Sequence, residues 1–591
     1  MQKPIAAAAC SALIVLLGTA PTSAQQKPEA DLCAVVPGAQ PLLPARLMEG
    51  MGDSRMSVTT NSDDARKFFN QGISQVHSFW FLESERSFLQ AAALDPDMAM
   101  AYWGISVSAA GDYRPAFQLL RDPLDGGRAP GSNDGTPPTE IARSVGGAAL
   151  SPAIRAREAI AKAMSLRHKV TPRERLYIEA EAARRNPDSK TKDADHIAGL
   201  RALVAAYPDD LEAKSILALA LLDGFESATK APRKNTMEGL KMLEEIAAKD
   251  DNHFGAHHYL IHGWEGSTTP QRAWHASKRY PELVPNIPHA LHMPGHIYAQ
   301  SDRIDDAIAA FQAAADNERS YLKADTLYPN GHHGHNVHFL IHALNLDGRY
   351  EESMKQIAHL MNDFKETPRE RRGNSQRVAW RQGYYALVKT LVRFERWNEI
   401  LDGKTIPVYD RPEQNAWRLW AQGLAYAATG KRAESQAALR EMTAILPRLD
   451  ASRRPLGIAQ IELEATVAAH KGDRKKSRYL FAKAADLEAG LLYTEPPSYP
   501  RPVVEAWGHA ALMMRDYGSA EKAYRTALER EPGGGRAYFG LAAALRGLGR
   551  IADSDAAISQ GRKAWDKADA DLPQMKGAMR AAAESEGAPK D

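Results

Sequence analysis

The sequence predicts an all-α fold built from stacked helix pairs. Three observations carry this. Helix formers dominate the 591 residues and strand-type alternation is sparse. Small residues, a large aromatic and a closing proline recur at fixed spacing in several stretches. Cysteine is nearly absent, so an apolar core rather than disulfides must hold the chain together.

The repeats set the register. Phe68–Pro96 places Gly72, Phe88, Ala91 and Pro96 at the spacings of the 34-residue tetratricopeptide pattern. The stretch ending at Pro532 does the same with Gly508, Ala520, Tyr524 and Ala527. A looser unit ends at Pro447, with Gly423, Gly430 and Leu439 in place but Ser435 and Met442 where the pattern prefers alanine. Further helical units are expected at Pro172–Arg185, Leu211–Ala248, Trp380–Ile400, Gly457–Leu491 and Tyr538–Trp565. The expected fold is thus a tetratricopeptide-type helix-pair solenoid over residues 65–567, a right-handed superhelix with a concave groove. Residues 25–64 read as an extended arm and 568–591 as a flexible tail. Asp122–Pro152, rich in Gly, Pro, Ser and Asp, reads as a disordered loop or a lid.

The first 24 residues have the form of a secretory signal. Lys3 is followed by the apolar Ile5–Gly18, with a small-residue cleavage site near Ala24. A periplasmic or secreted location is therefore expected. Only Cys33 would remain after cleavage, which excludes an intrachain disulfide and a thiolate metal site. Later residues contain no apolar run of 18, so no membrane span is expected. Seventy-five basic residues balance 73 acidic ones without a basic cluster, so nucleic acid is not an expected partner.

Histidine is concentrated in the centre. Thirteen of the 19 histidines fall in residues 253–342, where an even spread over 591 would put about three. In repeat register, His258, His262 and Glu265 fall on one helix. His289, His292 and His296 fall on the next, and His335, His338 and His342 on a third. Each set has the spacing that stacks side chains on one helical face. Tetratricopeptide helices of this kind turn those positions towards the groove. Two starts are open for the second helix, near Pro288 or near Met293, because Pro294 is unwelcome in a helix interior. His335 follows a glycine-containing loop, with its helix expected from Gly334. His333 is a further candidate ligand; His253, His257, His275 and His332 read as surface or loop.

Neutral imidazole suits copper, zinc, iron and nickel, and copper stands highest in the affinity order for nitrogen sites. The eight histidines exceed the need of one tetrahedral ion, so two ions, or one ion with supporting imidazoles, are open. Glu265 could ligate, orient an imidazole or act as the general base of a catalytic site. Trp417 and Trp420 have a spacing that more often marks inter-helix core, and their register also makes them candidates for a substrate surface.

Four motifs carry a resemblance: His258-Tyr-Leu-Ile-His262 with Glu265, His289-Ala-Leu-His292-Met-Pro-Gly-His296-Ile-Tyr298, His335-Asn-Val-His338-Phe-Leu340, and Glu495-Pro-Pro. With Asp95–Gly104, they resemble a group of bacterial exported tetratricopeptide-repeat proteins. The resemblance implies fold and site, not reaction. Trp80-Phe81 stands where similar proteins often carry Asn-His. Two functions are expected to compete. One is a metal-dependent enzyme, a copper oxidoreductase first and a metal-dependent hydrolase second, acting on a small molecule or peptide in the groove. The other is a non-catalytic scaffold for a protein partner or a metal buffer.

Overall fold

The computed structural model describes residues 44–54, 56–119, 152–324, 331–364, 378–449, 454–491 and 496–576. The expected signal segment, nearly all of the loop after Asp122, Glu495 and residues 577–591 lie outside these.

The chain forms the predicted all-α array of helix pairs. Helix α1 (Asp63–His77) pairs with α2 (Phe81–Leu94), and α3 (Ala99–Ala110) packs on α4 (Pro152–Leu166). Next come α5 (Pro172–Arg185) with α6 (Lys192–Ala206), and α7 (Leu211–Leu221) with α8 (Thr236–Lys249). The central pairs are α9 (Phe254–Trp264) with α10 (Trp274–Leu283), α11 (Pro288–Gln300) with α12 (Ile304–Ala324), and α13 (Gly331–Leu346) with α14 (Tyr350–Asp363). Helix α15 (Ala379–Arg393) is followed by the short α16 (Trp397–Leu401), then α17 (Pro412–Ala428) with α18 (Arg432–Ile445). The array ends with α19 (Arg454–His470) and α20 (Arg474–Ala489), α21 (Val503–Met513) and α22 (Tyr517–Arg530), and α23 (Gly535–Gly547) and α24 (Ile551–Ala564). Among the described residues there is no strand, only an isolated bridge between Phe225 and Pro232. None of the described helices is long and apolar enough to cross a membrane.

The repeat residues do what their sizes suggest. A Cβ on Gly72 would stand 2.7 Å from the Phe88 ring, and one on Gly508 2.8 Å from Tyr524. Glycine therefore lets the B-helix aromatic lie against the A-helix backbone. Gly104 and Gly540 leave the same room on the far side of each ring. Starts are set by side-chain caps: Ser62 accepts from Ala65 N, and Thr171 and Glu174 form a reciprocal capping box.

Two central helices start earlier than one reading of the sequence allowed. Helix α11 begins at Pro288, not Met293, because proline at the first helical position has no N–H to lose. Pro294 is accommodated inside it, beside Gly295, where the Phe311 ring packs too close for a Cβ. Helix α13 begins at Gly331, three residues before the expected Gly334, so His335 lies on the helix proper.

The apolar interior is divided. One cluster runs from Met51 to Ile297, another from Ala315 to Leu572, and a small one around Phe311 and Phe339 lies between. Both ends of the array return to the middle. At the N-terminal end Tyr280 Oη donates to Ser78 Oγ at 2.9 Å, and Trp80 meets Tyr321 edge-on at 4.8 Å. At the C-terminal end Trp565 Nε1 donates to Leu346 O at 2.7 Å and Asp569 N to Gly348 O at 3.1 Å. Leu572 is buried there. Trp417 and Trp420 do not form a substrate surface. They are buried edge-on against each other at 5.5 Å and packed against Tyr499, because their helix face meets the neighbouring repeat.

Candidate metal centre

The central histidines face inward and are closed over. His258, His262, His289, His292, His296, His335 and His338 are between 0 and 6 % exposed, and His342 is half-buried. Three of them are covered by the turn between α1 and α2. Phe79 sits there at φ 53°, a backbone region that costs a non-glycine residue energy and persists only when packing enforces it. Its ring lies 4.5 Å from His258, 5.3 Å from His262 and 5.5 Å from His289, centroid to centroid.

The four-residue spacing on α9 brings His258 and His262 together, with ring centroids 4.8 Å apart. His289, at the start of α11, completes the group. One ligand-type atom of each of these three residues lies within 4.8 Å of the others. His258 Nδ1 donates to the His77 carbonyl, which leaves its Nε2 as the lone-pair nitrogen. That Nε2 is 3.1 Å from His289 Nε2. Two nitrogen ligands at about 2.0–2.1 Å from one tetrahedral ion stand about 3.3 Å apart, so this separation fits a shared ion.

Glu265 was expected on the same helical face. Instead α9 ends at Trp264 and Glu265 is its C-terminal cap residue, turned by Gly266 at φ 71°. From there it joins two helices. Its Oε2 accepts from His262 Nδ1 at 3.0 Å and its Oε1 from His296 Nδ1 at 2.8 Å. Carboxylate oxygens only accept, so both imidazoles are fixed with the proton on Nδ1 and the lone pair on Nε2. With both oxygens engaged, Glu265 holds the place of an orienting group rather than of a free general base. Burial alone would raise its pKa; the two imidazoles outweigh that and hold it below the usual carboxylate range.

A second group lies along α11 and α13. His292 and His296 bring their Nε2 atoms to 2.7 Å, and the His335 ring lies tilted beside His292 at 5.0 Å. His332, expected on a loop, lies on α13 between His289 and His335, at 6.0 and 5.9 Å, and bonds Glu318 at 2.8 Å. His338 and His342 are not brought to either group. His342 is seven residues beyond His335, about 10.5 Å further along the helix axis. His338 instead turns to α15, where its Nδ1 bonds Gln382 Oε1 at 2.5 Å. His333 also points away and meets His359 at 2.9 Å.

The donor set fits a transition metal. Burial first, and neighbouring imidazoles second, push His258, His289 and His292 well below their ordinary pKa, so they are neutral, the ligating form. His262 Nε2, His289 Nδ1 and His292 Nδ1 are buried without a hydrogen-bond partner. Of these, His262 Nε2 is a lone pair, costly to bury without a donor, and a cation beside it and the Nε2 atoms of His258 and His289 would meet that lack. Rings wall the site: Tyr280 lies flat on His258 at 4.9 Å and Phe339 flat on His296 at 4.8 Å. Gln118 reaches His262 Nδ1 at 3.3 Å. His77, Phe79, Gln118 and Tyr280 come from elsewhere in the chain, and no local spacing in the sequence marks them.

No protein-family model matches the sequence, and no curated protein matches it. Several solved structures are similar in part. The Cut9 and Hcn1 hetero-tetramer of the APC/C matches at 13 % identity over 88 % of this chain and 90 % of that one, with a TM-score of 0.29. The TPR domain of P58(IPK) matches at 11 % identity over 82 % and 99 %, with a TM-score of 0.20. A monomeric mutant of IFIT1 with Gppp-AAAA matches at 10 % over 86 % and 91 %, with a TM-score of 0.31. At these scores the fold assignment rests on the chain's own helix pairing.

Proposed function

We propose that this is a transition-metal-binding helical-repeat protein, exported if the leader is cleaved as expected. Its ion would be held by the imidazoles of His258, His262 and His289. The observation that carries this is the convergence of three buried imidazoles, one of them oriented by Glu265. Copper heads the order for such a nitrogen set, and zinc and iron remain compatible with it. A bound ion would supply Lewis-acid polarisation or, for copper and iron, electron transfer. The chain's own part is to fix the imidazole tautomers through Glu265 and the His77 carbonyl, and to keep bulk water out with Phe79 and Tyr280. His292 and His296 provide the place for a second ion or for a supporting imidazole pair.

A closed site suits a small reactant such as water or dioxygen rather than a peptide held across the histidines. The same closure supports the second reading, a metal store without turnover on a scaffold whose outer faces bind protein. The test is metal content of protein purified without a histidine tag and reconstituted with copper or zinc. Wild type should hold at least about one equivalent, and His258→Ala or His262→Ala should lose it. Retention of full metal by both variants would place the site elsewhere.

A further inference from the structure

Donor atoms from three side chains also converge at the surface around Asp251, where His257 and His275 each bring an imidazole. No helical period links these positions. Asp251 lies in the turn between α8 and α9, His257 on the first turns of α9, and His275 at the start of α10. His275 Nε2 is 2.7 Å from Asp251 Oδ1, and His257 Nε2 is 3.4 Å from the same oxygen. His257 Nε2 donates to the Asp251 carbonyl oxygen at 2.9 Å, a hydrogen bond that an ion at this nitrogen would replace, the proton moving to Nδ1. The two rings meet edge-on at 5.6 Å. We propose that Asp251, His257 and His275 form a second site for a divalent transition-metal ion, zinc above all, separate from the central histidines.

The chemistry of the donors argues for that class. Two imidazoles and one carboxylate suit borderline ions, whereas calcium and magnesium require an almost entirely oxygen shell. Ligands of one tetrahedral ion stand about 3.3 Å apart; His257 Nε2 is already 3.4 Å from Oδ1, and an ion would replace the proton in the 2.7 Å hydrogen bond from His275 Nε2. The groups are held in place. Arg279 Nε lies 3.3 Å from the other carboxylate oxygen, Oδ2, which leaves Oδ1 for the imidazoles. The Arg279 guanidinium is itself anchored by Glu282 at 3.0 Å and Asn252 at 2.6 Å. Its charge weakens the attraction for a cation, so this is the weaker of the two sites. His257 is fully buried while Asp251 and His275 are exposed, so ligands come from the protein on one side and water on the other. Every protein donor belongs to α9, α10 or the turn before α9, so an ion here staples that turn to α10.

The two sites share helix α9 and no ligand, and they are tested apart. Zinc chloride is titrated into the untagged full-length chain by equilibrium dialysis. Wild type is compared with His275→Ala, Asp251→Asn and the His258→Ala/His262→Ala double variant. His275→Ala and Asp251→Asn each lose one zinc equivalent, and His275→Ala leaves the zinc-free melting temperature unchanged because its side chain is exposed. The double variant keeps that equivalent, and its melting temperature still rises with zinc. The surface site is overturned if His275→Ala and Asp251→Asn bind as many equivalents as wild type, with the same affinities. A double variant that loses nothing contradicts the central site instead, and leaves the equivalent sensitive to His275→Ala as support for this one.

Discussion

Glu265 is the residue on which the central arrangement turns. One carboxylate fixes the tautomers of His262 and His296 on two different helices. Replacing it by Gln keeps the shape but offers only one accepting oxygen. Glu265→Gln should leave metal stoichiometry unchanged and weaken affinity by roughly 10–100-fold, the usual effect of losing such a supporting group, as read by chelator competition. The pair Glu212 and His77 supports the site from behind. Burial would raise the Glu212 carboxyl; His77 outweighs this and holds it at about 2, below its ordinary 4.5. A carboxylate with a lowered folded pKa stabilises above its unfolded pKa. That contribution, roughly 3 kcal/mol at most, is lost as pH falls from about 4.5 towards 2. Glu212→Gln should flatten that part of a stability–pH profile measured by urea unfolding. At this scale spacing carried part of the site, and it failed for His338, which turns to Gln382 instead. His258 and His262 are four apart on one helix and do meet. Glu265 was misplaced because a helix that stops one residue earlier changes the direction of everything after it. His77 lies 181 residues from the His258 ring it supports, and no local pattern encodes such a pairing.

Among the elements, α11 shows how a rule can be outvoted by its surroundings. Pro294 argues against a helix, yet Pro288 starts one well and Gly295 leaves the room in which Phe311 anchors it. Phe311 is fully buried and meets His292 at 4.9 Å and Phe339 at 5.1 Å. Phe311→Ala should cost about 3–5 kcal/mol in chemical denaturation, as large aromatic truncations in a core do. The α1–α2 turn is the other decisive element. Phe79 holds a strained backbone in order to cover three histidines. Phe79→Ala should keep the stoichiometry and release the ion faster, followed as the rate of metal transfer to a chelator. An unchanged rate would mean that the ring does not close the site. The helix pairs themselves were readable from Gly72, Phe88, Gly508 and Tyr524, because their sizes are set by contacts between neighbouring repeats. What the α1–α2 turn covers was not, since it depends on how the array curls.

The whole molecule brings both ends of the array back to its histidine-bearing middle. Trp565, in the turn after the last helix, is buried and donates to Leu346 at the end of the third histidine helix. Trp565→Ala should therefore lower stability by about 3–5 kcal/mol, although it lies far from the histidines in sequence. Urea unfolding followed by circular dichroism reads this directly. On the proposed function three converged imidazoles hold one ion, and X-ray absorption on untagged, copper- or zinc-reconstituted protein counts them. At least about one equivalent of metal, with a first shell containing about three imidazole nitrogens near 2.0 Å, is the predicted result. Less than about one equivalent, or a shell of oxygen alone, would contradict it.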